Sequence, residues 1–500
     1  MLAALFLTAI AVSGAAPGEG MQAPPGSWAR DALTRALAAS EDIADPFHHA
    51  QTLAEIAEAE AIAGDPDGAR TLLARAVDVA QKVDEDALAS WALHDIALAY
   101  IKANELNAAE STAEKIHDLR LHDVVLAAVV DARRGARDLP GAQTTARHIR
   151  DTARQGQSLR AIAILQATEG HFSDALVTAR SIQHSQVNAL AIGDVAAALA
   201  RDRGFEEARS LVLGIRETQY RARGLVEVAT GQASTGDVTG ALTVVNLIED
   251  KLARAEALAR IAALHASTIP DASRDLFTQA LASLANARGT AVRRCDTLIE
   301  IARAQVIAGD IAASTVTLKR VFAELSKVKN ESERLNLLSR IAPVQARAGD
   351  FEGALSTAMR AEDGSLRPLL VRDIAASQAE KGDVAGAVAA ARSLDDRPAA
   401  AAALFGILRV QSQAHDSAGM QETMRATLQA VRFIGNAELR AGALGSLAAT
   451  HVLEGDVTTG QALFTEAMNT AATLDGGQQR AAVYARIADS LADRHRVLSD

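Results

Sequence analysis

A single cysteine in 500 residues, Cys295, excludes an internal disulfide and every metal site built on several cysteines. The net charge of −11 is spread over interspersed acids and bases without a basic block, which argues against a nucleic-acid surface. With 3% aromatic residues, 10 prolines and few stretches alternating at period two, the chain reads as all-helical.

The chain opens on an apolar run from Leu2 to Val12, followed by Ser13-Gly14-Ala15-Ala16 and Pro17. Small residues after a short apolar stretch fit a signal peptide over residues 1–16, cleaved after Ala15 or Ala16. The run is too short to span a bilayer, which takes about 20 residues. No Lys or Arg precedes it, which departs from the usual export signal. Residues 17–27, rich in Pro and Gly, read as a flexible lead-in to a body over residues 28–500.

From there the sequence repeats. An apolar-Ala pair is followed, seven positions after the Ala, by Gly-Asp, and five positions after the Gly by another small residue. Ile56-Ala57, Gly64-Asp65 and Ala69 set the pattern; Ile301-Ala302, Gly309-Asp310, Ser314 and Ile374-Ala375, Gly382-Asp383, Ala387 repeat it. The turn marker recurs at Gly64, Asn104, near Arg137, Gly170, Gly204, Gly236, near Ile269-Pro270, Gly309, Gly349, Gly382, near His415 and Gly455. A fixed period means stacked helix pairs in place of one globular core. The steps fall near 33 and near 40 residues, and the longer ones start at Gly64, Pro270, Gly309 and His415, where the second helix is prolonged. The Gly suits a left-handed residue closing the first helix, and the Asp can cap the second. The small residues mark close helix crossings.

This spacing resembles the tetratricopeptide repeat family. In the first unit the family's apolar and small positions 4, 7, 8, 15, 17, 20 and 27 become Leu53, Ile56, Ala57, Gly64, Pro66, Ala69 and Ala76. The resemblance covers about residues 45–495. Position 4 is almost always Leu where the family has Trp, and the unit-closing Pro is absent. The resemblance implies a right-handed α-solenoid of about twelve helix-turn-helix repeats with a terminal capping helix. It also implies that the first helices line a concave groove for a protein or peptide partner. Carried over by register, the groove positions are Trp91, His94, Leu98 and Ile101, then Gln157, Arg160 and Ile164, then Ile299 and Arg303, and Phe405 with Arg409.

Three further patterns invite a reading. At least six Asp of the Gly-Asp pairs stand in register, which helix capping explains without a ligand. Arg221, Arg254, Arg294, Arg334, Arg367, Arg440 and Arg480 each lie four residues before position 4, where the dipole of their own helix disfavours a cation. They read either as a salt-bridge ladder with acids such as Glu249-Asp250, Glu362-Asp363 and Asp395-Asp396, or as a stripe for an anionic partner. His117-Asp118 and His122-Asp123 fall between helix pairs and read as solvated cap residues, because closed metal sites need three or four converging ligands. No phosphate loop, nucleophile elbow, zinc-protease or calcium motif occurs.

The sequence therefore predicts a scaffold or adaptor of the cell envelope, periplasmic or secreted, with a protein or peptide partner. It implies no catalytic or metal residue, no cofactor and no nucleic-acid partner. Were the apolar run not a signal peptide, the location would be cytoplasmic. An all-helical toroidal, carbohydrate-active enzyme and an envelope assembly component without a separate ligand are the alternatives. Cys295 is expected to be a small buried apolar residue.

Overall fold

The computed structural model describes residues 25–361 and 366–499. The expected signal peptide, residues 17–24 of the lead-in, and Glu362-Asp363 lie outside the described residues. Pro25 to Ser27, assigned by the sequence to the lead-in, open the first helix instead.

Every regular element among the described residues is an α-helix. A lone helix α1 (Pro25–Ser40) is followed by alternating first and second helices. The order begins α2 (Pro46–Ile62), α3 (Pro66–Ala80), α4 (Asp86–Lys102), α5 (Leu106–Ala113), α6 (Leu119–Gly135) and α7 (Leu139–His148). It continues α8 (Thr152–Thr168), α9 (Phe172–Ser181), α10 (Ser185–Arg201), α11 (Phe205–Leu213), α12 (Thr218–Ser234), α13 (Val238–Asn246) and α14 (Lys251–His265). Next come α15 (Pro270–Ala285), α16 (Ala291–Ile307), α17 (Ile311–Leu325), α18 (Glu331–Ala348), α19 (Phe351–Met359) and α20 (Leu366–Glu380). The chain ends with α21 (Val384–Arg392), α22 (Arg397–Gln413), α23 (Ser417–Arg432), α24 (Ala437–Leu453), α25 (Val457–Ala472) and α26 (Gly477–Ser499). This is an all-α helical-repeat solenoid. The second helices α3, α15, α17 and α23, which the 40-residue steps mark as long, run 15 or 16 residues against 8 to 10 in the short units. α25 is a fifth long one.

The chain divides into two compact units. One is formed by residues 1–132 with 371–500, the other by residues 133–370. Within the second, the first helices α8, α10, α12, α14, α16 and α18 stack in sequence, each carrying its own second helix. Within the first, α2 stacks on α4 at one side and on α26 at the other, and α24 also lies against α26. The sequence reading of α26 as a terminal cap is therefore corrected. α26 is a first helix whose second helix is α1, packed on it as α3 packs on α2. The buried face of α1, with Trp28, Ala29, Ala32, Leu33, Ala36 and Ala39 at helical spacing, supplies the apolar stripe that this contact needs.

The pairs close on small residues. Ala57 and Ala69, Ala229 and Ala241, Ala342 and Ala354, and Ala375 and Ala387 all have no exposed surface. The hydroxyl of Ser314 donates to Ala302 O at 3.0 Å across the same crossing. Cys295 is wholly buried beside Val321, and loss of water around its thiol pushes the pKa up to about 12.

One hydrogen-bonded device recurs at the Asp-capped turns. Gly382, at φ +88°, ends α20, and the Asp383 amide donates back to Gln378 O at 3.1 Å. The Asp383 carboxylate accepts from the Gly386 amide at 2.9 Å and from Gln378 Nε2 at 2.6 Å. Asp350 and Asp416 repeat this with Gln345 and Gln411. Asp65, Asp237, Asp310 and Asp456 likewise cap the second helices. Four turns place a larger residue in the left-handed region: Asn104, Arg137, Arg203 and His415. The marker of the fifth turn is thus Arg203, one residue before the Gly204 of the sequence reading.

Two glycines of one turn separate its two requirements. A Cβ at Gly382 meets nothing within 4 Å, so Gly382→Ala pays only for the left-handed backbone, and about 1 kcal/mol of unfolding free energy is lost. A Cβ at Gly386 would run into the Asp383 carboxylate and Gln378 Nε2. Gly386→Ala dislodges the cap and costs about 1–2 kcal/mol, and this cost shrinks when Asp383 has already been replaced by Ala. Equilibrium denaturation of the single and double variants measures both.

Candidate partner-binding surface

The exposed side of the first helices is where side chains reach outward without filling a helix seam. On α4, Trp91, Asp95, Leu98 and Lys102 follow one another at helical spacing. Trp91 is 50% exposed and meets the ring of His94 edge-on, with centroids 5.6 Å apart. His94 Nδ1 lies 2.9 Å from Asp95 Oδ1, and Asp95 Oδ2 accepts from Gln51 Nε2 of α2 at 2.7 Å. This chain of bonds fixes the surface below the indole. Asp95, Leu98 and Lys102 continue into a cavity of about 450 Å³ floored by Ala54, Ala99 and Ala482. Its walls carry Glu55 and Glu58 of α2, Glu438 of α24 and Arg486 of α26. Lys102 pairs with Glu58, and Arg486 with Glu438 at 2.6 Å. Glu55 keeps an open route to solvent, yet the surrounding helices displace enough water to raise its carboxyl above the usual range, Arg486 opposing the shift.

The second unit carries a matching cavity of about 420 Å³ across α12, α14, α16 and α18. Glu227, Arg260, Glu300 and Arg340 occupy position 6 of four consecutive units, the residue before the large apolar position 7. Their charges alternate. Arg260 donates to Glu227 at 2.7 Å and also pairs with Glu256 of its own helix. Arg340 reaches Glu300 at 3.3 Å and pairs with Asp296, and Arg293 reaches Asp250 at 2.6 Å. Glu256 is held above the usual carboxylate range by loss of water, only partly offset by Arg260. This ladder stitches neighbouring first helices and leaves the cavity wall lined with paired charges. The register used for the groove skips position 6, so the sequence reading missed it. The signal was present, as acid and Arg alternating at one repeat position.

The other groove positions divide. Arg160 pairs with Asp194 of α10 at 2.5 Å. Arg303 pairs with Glu300 and lines the second cavity. Leu98, Ile101, Ile164, Phe405 and Arg409 are half-buried or covered on one side by neighbouring helices. Ile299 is a correction: it is 2% exposed and belongs to the core with Leu298, Ile301 and Val344. α16 is packed on α14 and α18 as well as on α17, so a residue turned toward either neighbour is covered.

Most of the arginine series bonds backbone carbonyls, and two of its members also meet acids, Arg294 at 3.5 Å from Glu324 and Arg480 at 3.2 Å from Asp42. Arg221, Arg254, Arg440 and Arg480 donate to the carbonyls of Ile215, Ile248, Ile434 and Leu474, each six residues upstream, at 2.7–3.0 Å. Arg367 does the same to Ala361 O at 3.1 Å, and Arg294 reaches Leu284 O and Ala287 O. Gln155 plays the part with Ile149 O at 2.9 Å. Ile215, Ile248, Ile434 and Leu474 follow directly on the C-caps of the preceding second helices, at the negative end of those helix dipoles, where a cation is favoured. His122 and Asp123 are also corrected. Both are buried within α6 and lie 2.9 Å apart, whereas Asp118 accepts from the Arg120 amide as a cap. Among the described residues no three His, Cys, Asp or Glu converge as metal ligands. No helix among them is long and apolar enough to cross a membrane.

Residues 48–121 match the tetratricopeptide repeat family. No protein of curated function is similar in sequence. Among solved structures, the chain is similar to Ton1535 from Thermococcus onnurineus NA1, at 15% identity over 62% of this chain and 97% of that one, with a TM-score of 0.23. It is similar to yeast Tom70 at 13% identity over 90% and 97%, with a TM-score of 0.28. It is similar to the APC/C hetero-tetramer Cut9–Hcn1 at 12% identity over 94% and 95%, with a TM-score of 0.26. The matched segment spans α2 to α5, and the same turn and crossing geometry recurs in the helix pairs that follow.

Reversing one rung of the ladder tests its electrostatic role. Glu300→Arg brings three guanidinium groups together and lowers stability by about 1–2 kcal/mol. Adding Arg340→Glu restores an ion pair, so the double variant is about 0.5–1 kcal/mol more stable than the two single losses sum to. The coupling energy, read by denaturation, falls in high salt.

Proposed function

We propose that this protein is a protein- or peptide-binding scaffold or adaptor without catalytic activity, acting in the cell envelope. The observation that carries the reading is Trp91. A half-exposed indole against the ring of His94, one helical turn before Asp95 of an alanine-floored cavity, is the type of anchor on which binding energy concentrates. Stacked first helices offer an extended surface to a partner. The half-exposed ring leaves little folding energy at stake in its removal. Trp91→Ala therefore reduces capture of the partner from the native source by about thirtyfold, about 2 kcal/mol. The melting temperature and helical signal stay at the parental values. A loss of about 3–5 kcal/mol in stability, with undiminished capture by the folded fraction, would return Trp91 to a packing role.

The envelope assignment rests on the sequence from Leu2 to Pro17, with its apolar run and small residues. The protein isolated from its native source then begins at Ala16 or Pro17, and intact-mass measurement reads this directly. A mass that includes Met1 rules out cleavage and with it the exported location.

A further inference from the structure

Helix α1 differs from every other second helix among the described residues. The others follow their first helix through a short hydrogen-bonded turn, and the chain leads on from each into the next repeat. α1 packs on a first helix encoded about 440 residues further along the chain, also touches α2, and is joined to α2 through residues 41–45. Its hold is substantial and local. Trp28, 5% exposed, stacks on Phe464 of α25 with ring centroids 5.3 Å apart and planes 11° from parallel. Arg480 of α26 reaches Asp42 at 3.2 Å, just beyond the helix. The buried residues of α26, which packs on α2 and α24 as well as on α1, include Ala481, Tyr484, Ala485, Ala488 and Leu491. Removing α1 breaks no turn and no cap of another repeat. It bares a continuous apolar strip that fits one amphipathic helix with an aromatic near its start.

We propose that α1 is a detachable helix, and that the face of α25 and α26 beneath it is an interaction site whose occupant in trans is α1 of a second copy of this chain. The tether favours the chain's own α1, because a short linker gives an effective concentration of roughly millimolar. Exchange between copies needs only that the tether swing outward, and the same contacts re-form in the swapped dimer. This surface does not include Trp91, so it stands apart from the binding surface described above.

A protease recognition sequence inserted between Ile43 and Ala44 of the full chain allows α1 to be cut from its tether after folding. The exposed Thr34 is replaced by Cys to carry a fluorophore, Cys295 being buried. Cut, labelled protein is mixed with cut, unlabelled protein distinguishable by size. The label is expected to equilibrate between the two, one helix per chain. An uncut acceptor is expected to take up at least tenfold less, and Trp28→Ala in the labelled helix to weaken uptake at least tenfold. Failure of the label to move overturns the proposal, whether the helix never leaves or its departure unfolds the chain. A second measurement needs no cut: the chain is refolded at rising concentration. Dimers are expected to increase when residues 43–44 are deleted and to decrease when ten Gly/Ser residues are inserted there. A dimer fraction indifferent to tether length overturns the swap.

Discussion

The fold depends on the close approach of two helices at alanine. Where Ala57 faces the α3 side bearing Ala69, or Ala375 the α21 side bearing Ala387, no side-chain surface is left exposed. That spacing is set by the absence of bulk, and everything else is arranged to keep it. The Gly-Asp turn delivers the second helix back along the first. At Asp350, Asp383 and Asp416 the glutamine five residues before locks the joint by bonding through both its backbone and its side chain, as Gln378 does with Asp383. Long and short second helices satisfy the same joint, which is why the array tolerates two periods without losing register.

The charges act between repeats. Arginines at the start of first helices bond the carbonyl just past the C-cap of the previous second helix, so each repeat ties down the end of the one before it. Position 6 acids and arginines stitch first helix to first helix across the cavity wall. In such a framework most charges are already committed to the fold. A partner meets paired side chains over much of the first-helix surface, and the apolar exceptions stand out. Trp91 is the largest of these exceptions on a first helix.

How much of this the sequence disclosed follows from which interactions are local. The turns, the caps and the length classes of the second helices were legible because each is fixed by residues within about ten positions. The role of the arginines was not, because the sequence was weighed against the dipole of the helix they begin and not the one they follow. Ile299 was misplaced for a related reason: a repeat register says which residues leave the intra-pair seam, but not which of them a neighbouring repeat covers. Arg137, Arg203 and His415 adopt a backbone that Gly usually supplies, so no residue type announced those turns. The partnership of α1 with α26 is invisible to any pattern of fixed period, since nothing near Trp28 points to Phe464.

That partnership also has a temporal side. Asp42 and Arg480 meet across 438 residues, so at about 5–20 residues per second the face of α1 waits roughly 20–90 s during synthesis for the helix that covers it. All that time Trp28 and its alanine stripe belong to the nascent chain alone, while repeat after repeat pairs behind them. Among the described helices the first to be made is the last to find its place, and the step that completes this unit is the joining of α1 to α26.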